Sequence, residues 1–136
     1  MRQTFRLMWE PTAKGRPRFV RGTGKTYTPS KTRNAEAALK TLLQDAGARL
    51  YPRDVPLAVE MVFWVARPRT APKRITMPAK RPDLDQYVKL TLDGGTGLLW
   101  EDDAQIVRIE ARKCFAGSRE DVPTPCQFLT VWEAAE

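Results

Sequence analysis

The chain has 136 residues, enough for one domain with a real core and too few for a second. It carries 23 Lys and Arg against 16 Asp and Glu, a net charge of +7, and no histidine, which excludes His-based nucleases, Ser-His hydrolases and His-ligated zinc enzymes. Its two cysteines, Cys114 and Cys126, lack metal-site spacing and read as buried free thiols, and the longest uncharged apolar run, Met61 to Ala66, is far too short to cross a bilayer, so a cytoplasmic protein is expected.

Phe5, Leu7 and Trp9 alternate with Thr4, Arg6 and Met8, which predicts a first strand over Thr4–Trp9, ended by Pro11. Lys14 to Pro29 is basic, punctuated by glycine and interleaved with Phe19 and Tyr27. It reads as a hairpin or arm, suited to phosphate contact and stacking or equally to a solvated loop. Ser30 is placed to cap a helix whose apolar stripe, Ala35, Ala38, Leu39, Leu42, Leu43 and Ala46, stops near Gly47. Leu57 to Ala66 reads as a buried strand, and Arg67 to Arg74 opens a second basic, proline-broken loop that excludes a helix. A helix follows Pro82, with Leu84, Val88 and Leu92 on one side. Ile106 to Phe115 alternates Val107, Ile109, Ala111 and Phe115 against Arg108, Glu110 and Arg112, and Gln127 to Trp132 closes the chain as a last strand. The expected fold is a single small α/β (α+β) domain over 1–136, a sheet with two or more helices and basic arms at about 14–29 and 67–82.

Charge is divided unevenly. Residues 1–82 hold 18 Lys and Arg against 5 acids, and residues 83–136 hold 5 against 11. A basic half suits phosphates, and an acidic half repels them unless a cation intervenes. Six acids fall between Asp83 and Asp103: Asp83, Asp85, Asp93, Glu101, Asp102 and Asp103. Two carboxylates about 4 Å apart repel by roughly 4 kcal/mol at an effective dielectric near 20, so a fold that gathers three needs protons, bases or a divalent ion. Mg²⁺, with oxygen ligands and sites left for water and a phosphate, is the natural candidate for phosphodiester hydrolysis. Asp83 and Asp85 sit at the start of the helix, where capping is the competing explanation. Lys89, four residues after Asp85, is expected on the same face, able to pair with it or reach a phosphate. For Glu101-Asp102-Asp103 a polar turn competes with catalysis, for Asp93 a helix end or turn is favoured, and Trp100 is expected to anchor the loop in the core.

The segments Arg81-Pro82-Asp83-Leu84-Asp85-Gln86-Tyr87-Val88-Lys89-Leu90-Thr91-Leu92-Asp93 and Trp100-Glu101-Asp102-Asp103-Ala104-Gln105-Ile106-Val107 resemble the RusA family of Holliday-junction resolvases, with its D-L-D-N-x-x-K helix and D-D-x-Q-[IV] strand entry. Gly15-Arg16-Pro17-Arg18 and Tyr27-Thr28-Pro29 resemble its members too. Gln86 stands where the family usually has Asn, and Asp93-Gly94-Gly95-Thr96-Gly97 replaces a commoner turn. The resemblance implies a RusA-like fold with a mixed sheet and a homodimeric, Mg²⁺-dependent nuclease, with Mn²⁺ as a substitute. Such an enzyme makes paired nicks in branched DNA, a four-way junction, in recombination and repair, and is often encoded by phages or prophages. It places the catalytic and metal-binding carboxylates at Asp83, Asp85 and Asp103, with Asp102 as a helper, and the essential lysine at Lys89. The DNA-binding candidates are Arg16, Arg18, Phe19, Arg21, Lys25, Arg69, Lys73 and Arg74, with Phe19 a wedge or stacker. A nuclease acting on flaps, forks or other branched DNA, and a module that binds branched DNA without cutting it, are the alternatives.

Overall fold

The structure is a computed structural model that describes residues 1–15, 21–27 and 29–135, together with the backbone of 18–20. A four-stranded sheet is built from β1 (Arg2–Leu7), β4 (Leu57–Val65), β5 (Ile106–Phe115) and β6 (Cys126–Glu133), in the order β1-β6-β4-β5. β6 runs antiparallel to both β1 and β4, whereas β4 and β5 are parallel, so the sheet is mixed. Parallel neighbours need a crossover, and the helix α2 (Leu84–Gly95) lies within it. A separate hairpin pairs β2 (Arg18–Val20) with β3 (Lys25–Tyr27), and the helix α1 (Ser30–Asp45) follows it. The hairpin turn uses Gly22 and Gly24 at φ 80° and 68°, a backbone region that costs glycine nothing.

Both helices pack on one face of the sheet. Leu39 and Leu43 of α1, Tyr87 and Leu90 of α2, Val59, Met61 and Phe63 of β4, and Leu129 and Val131 of β6 form the main core. Period-2 alternation sends the other side chains of β4 to the opposite face, where Val62 and Trp64 join Val122 and Cys126 in a smaller cluster. β4 is therefore buried on both faces except at Glu60 and the half-buried Val65, which explains its nearly unbroken apolar sequence. Both cysteines are free thiols, Cys126 buried and Cys114 half-buried. Among the described residues no helix is long and apolar enough to cross a membrane.

Several boundaries differ from expectation for identifiable reasons. β1 ends at Leu7, and Trp9 lies beyond it with its indole Nε1 donating to the buried Gln127 Oε1 at 3.1 Å. Ser30 lies inside α1 and caps nothing: the N-cap position is Pro29, and Ser30 Oγ accepts from Arg33 instead. Ala38 and Ala46 are exposed, because the core-facing stripe narrows to Thr32, Ala35, Leu39 and Leu43.

Gly94 and Gly95 form no turn but the last residues of α2. A Cβ on Gly94 would lie 2.5 Å from Leu39 Cδ2, and one on Gly95 2.5 Å from Trp100 Cζ2, so the missing side chains are what let α2 close on α1 and on the indole. Lys40 of α1 then satisfies the helix end, its Nζ donating to the carbonyls of Asp93, Gly94 and Thr96. Trp100 has nowhere to retreat, being fully buried with Nε1 donating to Leu92 O and Thr96 Oγ1. Gly95→Ala is therefore expected to destabilise the fold by about 1–3 kcal/mol through overpacking, more than the roughly 1 kcal/mol that alanine gains in helix propensity. Urea denaturation measures the difference, and an alanine variant as stable as the native chain would refute the close approach.

Candidate active site

The first turn of α2 presents two carboxylates. Asp83 occupies the N-cap position and Asp85 lies in the first turn, both exposed and both where the helix dipole favours negative charge. Gln86 performs a local duty at this end, its Oε1 accepting the Asp83 N–H at 3.3 Å, so an amide at this position closes the helix start. Two further groups hold the chain on either side. Lys113 of β5 donates its Nζ to the carbonyls of Lys80 and Pro82, each at 2.8 Å, and so fixes the approach to Asp83. Lys14 donates its backbone N–H to Gln86 O, while Gly15 N–H bonds Thr32 Oγ1, which pins this segment between the two helices.

One turn further along α2, Lys89 is half exposed and its Nζ lies 3.3 Å from Asp103 Oδ2 and 3.3 Å from Asp93 Oδ1. Asp93 is shared, since its Oδ2 also takes the Lys14 ammonium, which in turn lies 4.0 Å from Glu36. The result is an alternating row of charges, Asp103, Lys89, Asp93, Lys14 and Glu36. Burial pulls the Lys89 ammonium down, but the hydrogen bond to Asp103 and the charge of Asp93 more than reverse this and leave it above the usual lysine range. A raised folded pKa means that these pairs contribute stability below the ordinary lysine value and lose it only as pH rises through the raised one. Lys89 is thus held as a cation near neutral pH.

Asp103 opens a 3-10 turn, Asp103–Gln105, that leads directly into β5. Its neighbours are occupied elsewhere: Glu101 pairs with Arg53, and Asp102 Oδ1 accepts the Ala104 N–H at 2.9 Å as a cap. Gln105 holds the whole turn. It is buried, its Oε1 accepts the N–H groups of Glu101 and Asp102, and its Nε2 donates to the carbonyls of Pro52 and Val55. Trp100 anchors the stretch from the core side, as its sequence position implies.

Lys89 and Asp103 come together, and Lys89 pairs with Asp93 and not with Asp85, which was expected either to pair with it or to leave it free to reach a phosphate. The three carboxylates Asp83, Asp85 and Asp103 are not drawn into one knot: among the described residues no group of three or more His, Cys, Asp or Glu is close enough to hold a metal ion. Lys14, Glu36, Gln105 and Lys113 emerge as site-building residues that sequence reasoning did not single out, and Asp93, expected only at a helix end or turn, joins them. For Gln105 a signal existed in its place within D-D-x-Q; for Lys14 and Asp93, 79 positions apart, there was none.

The basic candidates divide by location. Arg21 and Lys25 are exposed on the hairpin, and Arg69, Lys73 and Arg74 are exposed on the 66–82 loop. Arg16 and the side chains of Arg18 and Phe19 lie outside the described residues. Arg67 shapes the loop by donating to the carbonyls of Pro72 and Ile75 while its guanidinium lies over the Phe115 ring. The loop roofs a cavity of about 530 Å³ beside Pro82, with Val65, Ile75, Tyr87 and Phe115 among its walls.

The site thus combines an acidic helix start, a lysine paired with two carboxylates, and exposed cations on a hairpin and a loop. The family model of the endodeoxyribonuclease RusA matches residues 8–122, most of the chain, and the protein belongs to that family, a hydrolase class acting on DNA. It is also similar to the uncharacterized protein YqaN of Bacillus subtilis strain 168, with 25% identity over 127 residues covering 82% of this chain and 87% of that one.

Proposed function

We propose that this protein is a Mg²⁺-dependent endonuclease that resolves four-way DNA junctions by paired symmetric nicks, acting as a homodimer in recombination and repair. The observation that carries the reading is the Lys89–Asp103 pair beside an acidic α2 start, in a chain of the RusA family. Mg²⁺ commonly binds through one or two protein carboxylates and completes its shell with water and phosphate oxygens, so three preassembled ligands are not required. Asp83 and Asp85 are hard oxygen donors, exposed and without an ion-pair partner among the described residues, which suits them to this role; Asp103 is the third ligand and Asp102 a helper. A bound Mg²⁺, or Mn²⁺ in its place, supplies an activated water and neutralises charge on the scissile phosphate.

The chain's own contributions are positional and electrostatic. Lys89, cationic and fixed by Asp93, places positive charge where the phosphate or the leaving oxygen becomes more negative. Gln105 and Lys113 hold the two loops that carry the carboxylates. Arg21, Lys25, Arg69, Lys73 and Arg74 bind DNA phosphates along the junction arms.

The test is cleavage of a labelled synthetic four-way junction beside a matched linear duplex, a flap and a fork, with Mg²⁺ or EDTA. Symmetric nicks in the junction alone, abolished by EDTA, are expected. Equal cutting of flaps and forks would remove the junction selectivity. Tight binding without cutting, across several junction sequences and with Mn²⁺ as well, would leave only a DNA-binding module.

A further inference from the structure

We propose that the cavity beneath the 66–82 loop receives one unstacked nucleobase of the DNA substrate, the base beside the scissile phosphate, while the cations of the loop hold the backbone on either side of it. The cavity measures about 530 Å³, within the roughly 300–1,000 Å³ of pockets that hold small organic groups. Its position ties it to the acidic helix start. Pro82, in its wall, directly precedes Asp83, and Tyr87, also in its wall, lies one turn of α2 beyond that carboxylate. The loop is braced so that the space stays open. Pro68, Pro72, Pro78 and Pro82 each fix a backbone angle, Arg67 ties the carbonyls of Pro72 and Ile75 while lying over Phe115, and Lys113 reaches from β5 to the carbonyls of Lys80 and Pro82.

The occupant follows from how polar and apolar groups divide. Val65, Ile75, Met77, Tyr87 and Phe115 give the cavity apolar and aromatic walls, which suit a flat ring. Arg74, Lys80 and Arg81 also line it, all exposed and without an ion-pair partner among the described residues, and they suit the phosphates that flank such a ring. Two lining residues fit neither description. Glu10 is a carboxylate, which repels a phosphate from the interior and accepts an N–H. Tyr87 is only 5% exposed, yet its hydroxyl has no hydrogen-bond partner among the described residues. Burial first, and then the charge of Glu10, hold this phenol above its usual range, so near neutral pH it keeps its proton to donate. The Watson–Crick edge of every nucleobase carries at least one N–H and at least one acceptor, and an extruded base is read through that edge between apolar walls. An apolar side chain in the cavity would leave Tyr87 unanswered, and a free phosphate would meet Glu10. A base with its two phosphates answers the walls, the two polar groups and the cations together.

This rests on the reading of the chain as a nuclease of branched DNA, but the pocket is tested without cutting. A single abasic nucleotide is walked through the crossover of a synthetic four-way junction, and affinity is measured by gel shift in EDTA. At one position the missing base is expected to weaken binding by the native chain about tenfold, as the loss of one stacked base does. Ala71→Trp, which fills the cavity, should weaken binding of the intact junction by the same factor and be indifferent to the abasic nucleotide at that position. Tyr87→Phe keeps the ring and removes the hydroxyl alone. Replacing a thymine at the sensitive position by difluorotoluene, which has the same shape and no hydrogen-bonding edge, should weaken binding a few-fold for the native chain and less for the phenylalanine variant. Circular dichroism and urea denaturation check that both variants are folded, and if Ala71→Trp is not, the Tyr87→Phe comparison decides alone. The absence of any sensitive position, or a sensitive position that neither variant alters, would overturn the proposal. Cleavage of the junction without a base-sensitive position would reject the pocket and leave the nuclease standing, and a sensitive position abolished by Ala71→Trp in a chain that cuts nothing with Mg²⁺ or Mn²⁺ would do the reverse.

Discussion

Asp103→Asn is expected to reduce junction cleavage on the order of 10³-fold or more while leaving DNA binding intact. The change keeps the side chain's shape and one oxygen and removes its charge. The half-exposed Lys89–Asp103 pair is worth little to the fold, since exposed ion pairs typically contribute about 0–1 kcal/mol, and Lys89 keeps Asp93 as a partner. Stability should therefore barely move, and the loss belongs to the chemistry. Asp85→Asn should behave in the same way, because Asp85 has no ion-pair partner to lose among the described residues. Single-turnover cleavage and a gel-shift titration separate the two effects. Cleavage within a few-fold of native for both variants would show that these carboxylates serve only as helix and ion-pair groups.

Gln105→Ala is expected to cost about 2–3 kcal/mol of stability and to depress cleavage even well below the melting temperature. Its carboxamide serves four backbone groups in a buried place, two N–H donors at Glu101 and Asp102 and two carbonyls at Pro52 and Val55. Alanine leaves them without a partner, and the turn that aims Asp103 at Lys89 loses its brace. Gln105→Glu retains the accepting oxygen and loses the donor, so it separates the two halves of the role. Chemical denaturation paired with cleavage at low temperature is the measurement. An alanine variant with native stability and native rate would make the glutamine incidental.

Much of the fold is legible from residue pattern alone because the relevant physics is local. β5 and the body of α1 match their expected extents to within a residue or two, although Val107 and Ile109 of β5 are exposed, and β4 reads as a buried strand since apolar side chains cover both of its faces. The misreadings arise where a distant residue decides. Gly94-Gly95 left a helix end and a turn both open, and the packing of Leu39, Lys40 and Trp100 decides for the helix end. Trp9 continues the alternation of β1, but Gln127 draws its indole out of the strand. The same division applies to the site. Asp83, Asp85, Lys89 and Asp103 are visible as motif residues within one stretch, whereas Lys14 reaches Asp93 only after the helices have packed, and no spacing foretells it.

β6, the last strand of the sheet, lies between β1 and β4. β1 therefore has no strand to pair with until some 120 further residues have been made. At about 5–20 residues per second, that interval is on the order of ten seconds on the ribosome. During it the core has one open side, and the buried link from Trp9 through Gln127 to Thr91 of α2 cannot form. A nascent chain of this protein is thus expected to lack this brace on α2 until β6 has been made.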